Sequence, residues 1–199
     1  MVATEQEITA PSRDSVRPVE LEKVYRSRRF GEVKVWRATS LGIGVQSDVF
    51  SVSARRPDVL SVIELGCEES LGSRFGNHEH RYTLKRVGEV VRGRRAYLWI
   101  ELTHEASQSS CDPDPEGGEG CTETGSSSLD GYAFVLGEDD ILQRVASGIP
   151  VIAYDFVKDG RPAQIDVGCD ERGEMTIRPR TPHVTREQKT WLGRYRVQQ

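Results

Sequence analysis

The chain has 199 residues, and its charged fraction of 29% and apolar fraction of 36% indicate one ordinary domain with polar segments attached. No run approaches the about 18 apolar residues that a membrane-spanning helix needs, which excludes such a helix. The first 20 residues contain no apolar signal segment, so the sequence predicts an intracellular, cytoplasmic protein without a signal peptide.

The four cysteines, Cys67, Cys111, Cys121 and Cys169, form no C-x-x-C pair, so the spacing of a zinc knuckle is missing. Cys111 and Cys121 flank a Gly-rich acidic stretch and could form a disulfide in an oxidising compartment. Without a signal segment, reduced thiols are expected, and the sequence leaves the redox state of this pair open.

In chain order, residues 1–18 are polar and show no hydrophobic period, which predicts a flexible N-terminal tail. Strands are then indicated by alternating apolar residues or by short runs that are apolar on both faces. These predicted strands are 33–36, 50–53 and 97–102, and a hairpin turn at Arg92-Gly93-Arg94 precedes the last of them. Residues 82–91 fit either a strand or a helix.

Residues 105–130 contain seven acidic residues, no Lys or Arg, and Leu129 as the one large apolar side chain. Such a segment cannot bury enough surface to offset the entropy of ordering, so we expect a disordered acidic insertion. The whole chain has 27 basic and 31 acidic residues. Without the seven acids, 24 remain, and the rest of the chain carries a formal charge of 27 − 24 = +3.

After the insertion, residues 132–136 predict a strand, and 139–147 predict a helix with Asp139 or Asp140 at its start and Gly148 at its end. Three strands with tight turns between them follow, at 151–157, 163–167 and 175–178. The basic segment 184–199 predicts a C-terminal tail with one short helix.

The pattern as a whole predicts an α+β fold that is mostly antiparallel β-sheet, sandwich-like or barrel-like, with one or two short helices. We expect one β-rich domain over 19–183, which contains the acidic insertion 105–130 and is flanked by the two tails.

A metal site is suggested by His78 and His80, because residues two apart in a strand point to one face and imidazole binds transition metals. Gly72, five further residues and then His78-Glu79-His80 also resemble the opening of the first cupin metal motif. This resemblance implies a metal-dependent enzyme with a divalent transition metal at His78 and His80. Leu84 and Lys85 stand where the glutamate of that motif would follow.

Basic residues cluster near a predicted hairpin and near the C-terminus, where two aromatic residues lie among them. If these clusters converge, they could hold phosphates, with an aromatic ring for base stacking. The candidate nucleic-acid contacts are Arg81, Lys85, Arg86, Arg92, Arg94, Arg95, Lys189, Trp191, Arg194 and Arg196.

No catalytic constellation has complete spacing, so the leading hypothesis is a non-catalytic binding or structural module. Its partner would be another protein, through sheet edges or tails, or a second copy of itself, with nucleic acid as a further ligand of the basic clusters. The alternatives are a metal-dependent, cupin-like enzyme centred on His78 and His80, and a subunit of a larger β-protein assembly. The sequence leaves the ligand and the oligomeric state open.

Overall fold

The structure is a computed structural model that describes residues 19–42, 45–69, 77–92, 95–113, 119–155, 162–172 and 174–196. At several strand ends, among them 77–80, 109–113 and 119–123, it describes the backbone alone. The first four strands are β1 (Glu20–Ser27), β2 (Gly31–Gly42), β3 (Val45–Ser53) and β4 (Ser61–Glu69). The next four are β5 (Asn77–Arg92), β6 (Arg95–Pro113), β7 (Glu119–Leu136) and β8 (Leu142–Asp155). The last elements are β9 (Ala163–Cys169), β10 (Met175–Pro179), α1 (Arg186–Trp191) and β11 (Gly193–Tyr195).

Two antiparallel sheets contain these strands. β1 to β4 form a four-stranded sheet and β5 to β11 a seven-stranded sheet, and in both the spatial order follows the chain order. The prediction of a mostly antiparallel β protein is therefore confirmed, and the described residues contain almost no helix and no sheet that closes into a barrel. The predicted strands lie within observed strands, except that 151–157 extends beyond the end of β8 into residues 156–157, which are outside the described part; the ambiguous segment 82–91 is a strand in β5.

One hydrophobic cluster joins the two sheets. From the four-stranded sheet it contains Val33, Val35, Phe50, Val52 and Ile63, which alternate along their strands as a half-buried sheet requires. From the seven-stranded sheet it receives Leu98, Ile100, Leu102, Tyr132 and Phe134. These residues are almost completely buried, so apolar burial holds the sheets together.

A second cluster lies on the opposite face of the seven-stranded sheet. Tyr97 and Trp99 of β6 pack there with Ile165, Met175 and Ile177 from β9 and β10. Because β6 and β9 are three strands apart in the sheet, this packing requires the sheet to curl toward itself. The curl brings β9 close to β5, the edge strand at the other side of β6.

The segment 105–130 differs from the expected disordered insertion. Residues 105–113 and 119–130 continue β6 and β7 as a long hairpin, paired from Leu98↔Phe134 to Pro113↔Glu119; residues 114–118 are outside the described part. Backbone hydrogen bonds between paired strands satisfy the peptide N–H and C=O groups even where the strands have no hydrophobic face. The prediction from composition alone did not take these bonds into account. Among the described residues, 103–130 supply no buried core residue, as that composition predicted.

The predicted helix at 139–147 is wrong. Gly137 to Ile141 form a turn in which the Gly137 N–H donates to the Ile141 carbonyl at 2.9 Å, and Asp140 has a positive φ of 60°. β8 begins at Leu142 and pairs with β7 through Leu136↔Leu142 and Val135↔Gln143. Pairing with a neighbouring strand overrides a local helical pattern of this length.

The C-terminal segment also differs from the expected tail. The side chains of Val184, Trp191, Leu192 and Tyr195 pack against the second cluster, so α1 and β11 belong to the folded body. The predicted short helix is α1, which begins after a capping box between Thr185 and Gln188. In the part of the chain that the structure describes, no helix is long and apolar enough to cross a membrane. Residues 1–18, the predicted N-terminal tail, lie outside that part.

Candidate functional site

The curl of the seven-stranded sheet leaves an open cavity of about 500 Å³ between β5 and β9, which we call the seam groove. Apolar side chains from β6 to β9 form its floor and charged side chains stand along its walls. Its lining residues include Arg86, Glu89, Val90, Trp99, Glu101, Leu129, Ile152, Gln164, Ile165, Asp166 and Arg180. A volume of this size falls within the range of ligand sites in proteins, and six of the thirteen lining residues have charged or amide side chains.

The β5 wall of the groove is the last strand of the seven-stranded sheet, and β9 contacts this edge at Val90. The Val90 carbonyl accepts a bond from Cys169 Sγ at 3.9 Å, so this carbonyl points across to β9 and away from β6. In an antiparallel strand the N–H and C=O of one residue point to the same side, and that side alternates along the strand. By this alternation Gly88, which is buried, and Arg86, which follows the register shift at Lys85, have their backbone groups on the groove side of β5, the last strand of its sheet.

Trp99 forms the centre of the floor. Its indole lies on the backbone of β7, since a Cβ added at Gly131 would come within 2.0 Å of the ring. The indole Nε1 donates to Glu101 Oε1 at 2.8 Å, and the residue is only 5% exposed. Only glycine permits this close approach, so Gly131 fixes the depth of the groove at this point.

Each acidic side chain on the walls already has a donor within the chain. Glu101 accepts from Trp99, and Asp166 lies 3.8 Å from the Arg180 guanidinium. Glu89 accepts a 3.3 Å hydrogen bond from the Tyr25 hydroxyl. Burial, together with the negative charge of Glu89, raises the pKa of Tyr25, so this hydroxyl keeps its proton and remains a donor at neutral pH.

Arg86 differs from these residues. It lies opposite Glu101 in the register of β5 and β6, and its side chain is exposed. A Cβ at Gly88 would be 3.5 Å from Arg86 Nε, so the guanidinium extends along the strand over Gly88. Within the described part of the chain, Arg86 makes no hydrogen bond or ion pair.

The two candidate metal ligands lie in the first residues of β5. His78 pairs with Gln108 and His80 with Ala106, so both are strand positions, but their side chains lie outside the described part. His104, on β6, stacks on Tyr82 with ring centroids 4.3 Å apart. Among the described residues no group of three or more His, Cys, Asp or Glu side chains could hold a metal ion. The metal-site hypothesis therefore stays a prediction.

The candidate nucleic-acid contacts separate into two groups. The first group lies on β5 and at the start of β6 and contains Arg81, Lys85, Arg86, Arg92 and Arg95. The second group lies on or beside α1 and β11 and contains Lys189, Trp191, Arg194 and Arg196. The side chain of Arg92 and all of Arg94 are outside the described part. Arg196 pairs with Glu174 at 2.8 Å and Arg194 lies 3.8 Å from Asp170. Trp191 packs against the second cluster. These contacts compete with phosphate binding and base stacking, and nucleic-acid contact stays a prediction.

A second depression, of about 650 Å³, lies on the outer surface of β9 to β11. Its charged lining residues are Arg172, Arg178 and Arg194 against Asp166, Asp170 and Glu171. Equal numbers of opposite charges give this depression no net attraction for a polyanion.

Comparison of the chain with protein-family models, with curated proteins and with solved structures finds no match. The site is therefore defined by its geometry. Sequence reasoning missed the seam groove because it depends on the curl, which brings together residues from β5 and β9. One local signal pointed to it: Gly88 interrupts a strand, and an isolated strand glycine often marks close approach of a ligand or of another backbone.

Proposed function

We propose that this protein is a non-catalytic interaction module that binds an extended segment of a protein partner in the seam groove. The partner segment would add as a strand to the edge of β5 beside Arg86 and Gly88, in the mode known as β-augmentation. The observation that carries the proposal is the orientation of the Val90 carbonyl across the seam, because it implies that Gly88 and Arg86 also face the groove.

The surroundings of this edge suit an extended peptide. The peptide backbone would pair with Gly88 and Arg86, and alternate peptide side chains would meet the apolar floor at Trp99 and Ile152. In this mode, backbone hydrogen bonds supply affinity and the floor selects side chains.

The experiment compares two variants at one position. Gly88→Pro removes the outward N–H that an added strand would need, and proline is tolerated at an edge strand whose N–H faces away from the sheet. Gly88→Ala is the matched control, because its Cβ meets nothing closer than Arg86 Nε at 3.5 Å and the N–H is kept.

The probe is a fluorescently labelled, capped peptide that alternates threonine and valine, and its binding is followed by fluorescence anisotropy. We expect Gly88→Pro to weaken binding by about tenfold or more, since one lost hydrogen bond and a steric clash together reach about 1.4 kcal/mol. Gly88→Ala should bind like the unchanged protein. A peptide with alternate backbone nitrogens methylated should not bind. Equal binding by both variants, or by the methylated peptide, would contradict strand addition.

A further inference from the structure

We infer that the partner segment carries an acidic residue, Asp or Glu, that pairs with Arg86 in the seam groove. This inference rests on the proposed strand addition at β5 and specifies the chemistry of the partner.

The positions of the charges favour this assignment. In an antiparallel pair, directly opposite residues share one face and their side chains lie close enough to interact. Arg86 lies opposite Glu101 on β6, so its side chain is on the groove face of the sheet. A strand added to the other edge of β5 would place one of its own residues opposite Arg86, on that same face.

The other charged groups of the groove are already engaged. Glu101 accepts the Trp99 indole N–H, and Asp166 lies beside Arg180. Glu89 accepts the Tyr25 hydroxyl. Arg86 is left as the groove cation without a hydrogen bond or ion pair to any described residue, and its guanidinium lies over Gly88, beside the backbone groups that would receive the peptide. A carboxylate from the partner would complete its hydrogen bonding.

The test uses three versions of the capped threonine–valine peptide, with Asp, Asn or Lys at the central position. We expect the Asp peptide to bind about twofold to fivefold more tightly than the Asn peptide, the range of a cross-strand ion pair, and the Lys peptide to bind most weakly. The preference should diminish in 1 M salt, where the Debye length falls to about 3 Å.

Variants of the protein assign the preference to one side chain. Arg86→Gln should remove the difference between the Asp and Asn peptides, and Arg86→Glu should make the Lys peptide the strongest of the three. Arg180→Gln is the matched control, because Arg180 already has Asp166 as its partner, and it should keep the preference for Asp.

The outcomes separate the two proposals. If the three peptides bind equally and Gly88→Pro still abolishes their binding, the role of Arg86 is overturned and strand addition is retained. A preference for Asp that persists in Arg86→Gln would assign the selectivity to another residue and also overturn the inference. Binding of none of the peptides would overturn both proposals.

Discussion

Gln188 connects α1 to β8 and β9 through one buried side chain. Its amide Nε2 donates to the Pro150 carbonyl at 2.9 Å and to the Ala163 carbonyl at 3.0 Å, which lie on or next to β8 and β9. Its Oε1 accepts the Thr185 N–H at 3.0 Å and completes the cap of α1. The residue is fully buried. Among the described residues β8 and β9 share the pairs Ile152↔Gln164 and Ala153↔Ala163, and the amide supplements this short ladder.

Gln188→Ala should therefore lower the free energy of unfolding by about 1–3 kcal/mol, because it leaves two buried carbonyls without donors and removes one of the two hydrogen bonds of the capping box. Urea unfolding followed by circular dichroism measures the change. Gln108→Ala on β6 is the matched control, since Gln108 is exposed and its loss should alter stability by less than about 0.5 kcal/mol. Equal stabilities of the two variants would mean that the amide bonds contribute nothing net.

At the scale of elements, the outer half of the β6–β7 hairpin extends beyond the hydrophobic core. The side chains of Glu105, Ser107, Gln108, Thr124 and Ser126 are exposed, and those described between 103 and 130 supply no buried core residue. The strands there are joined by backbone hydrogen bonds without buried side chains. We therefore expect this part of the hairpin to form after the hydrophobic core and to add little to the stability of the domain.

Replacing residues 107–125 by Asn-Gly, which joins the Ala106↔Ser126 pair by a two-residue turn, should leave the domain folded. We expect the free energy of unfolding to change by about 1 kcal/mol or less, since shortening a loop alters the closure entropy only weakly. Thermal unfolding of the shortened and full chains gives the comparison. Loss of cooperative unfolding in the shortened chain would show that the outer hairpin is required for folding.

The strands were predictable where side chains alternate or are apolar on both faces, as in 33–36 and 97–102, because that pattern reflects burial on a sheet. The helix at 139–147 was mispredicted because Ile141, Leu142 and Val145 also satisfy a helical spacing, and only the pairing partner on β7 distinguishes the two. The seam groove could not be predicted at all. It depends on the curl of the sheet, a long-range property that no local window contains.

At the scale of the whole molecule, β6 belongs to both hydrophobic clusters. Leu98, Ile100 and Leu102 face the four-stranded sheet, while Tyr97 and Trp99 face the curl. A mutation that destabilises either cluster therefore also destabilises a strand whose side chains pack in the other cluster. This sharing predicts that the two sheets unfold together.

Ile100→Ala in the first cluster and Ile165→Ala in the second should each lower the free energy of unfolding by about 2–5 kcal/mol, the usual cost of such a cavity. In both variants, far-UV circular dichroism and tryptophan fluorescence should report the same midpoint. Val91→Ala, at a side chain that is 47% exposed, should have a much smaller effect. Two separate transitions in either variant would show that the sheets are independent.

The order of the strands has a consequence for how the chain reaches this state. In both sheets each described strand pairs with the strand immediately before it or after it along the chain. Each sheet can therefore form by adding one hairpin after another, and each added strand pairs with a strand that is its neighbour along the chain. The later steps, in which the sheets dock and β9 reaches β5, join distant parts of the chain and are expected to limit the rate of folding.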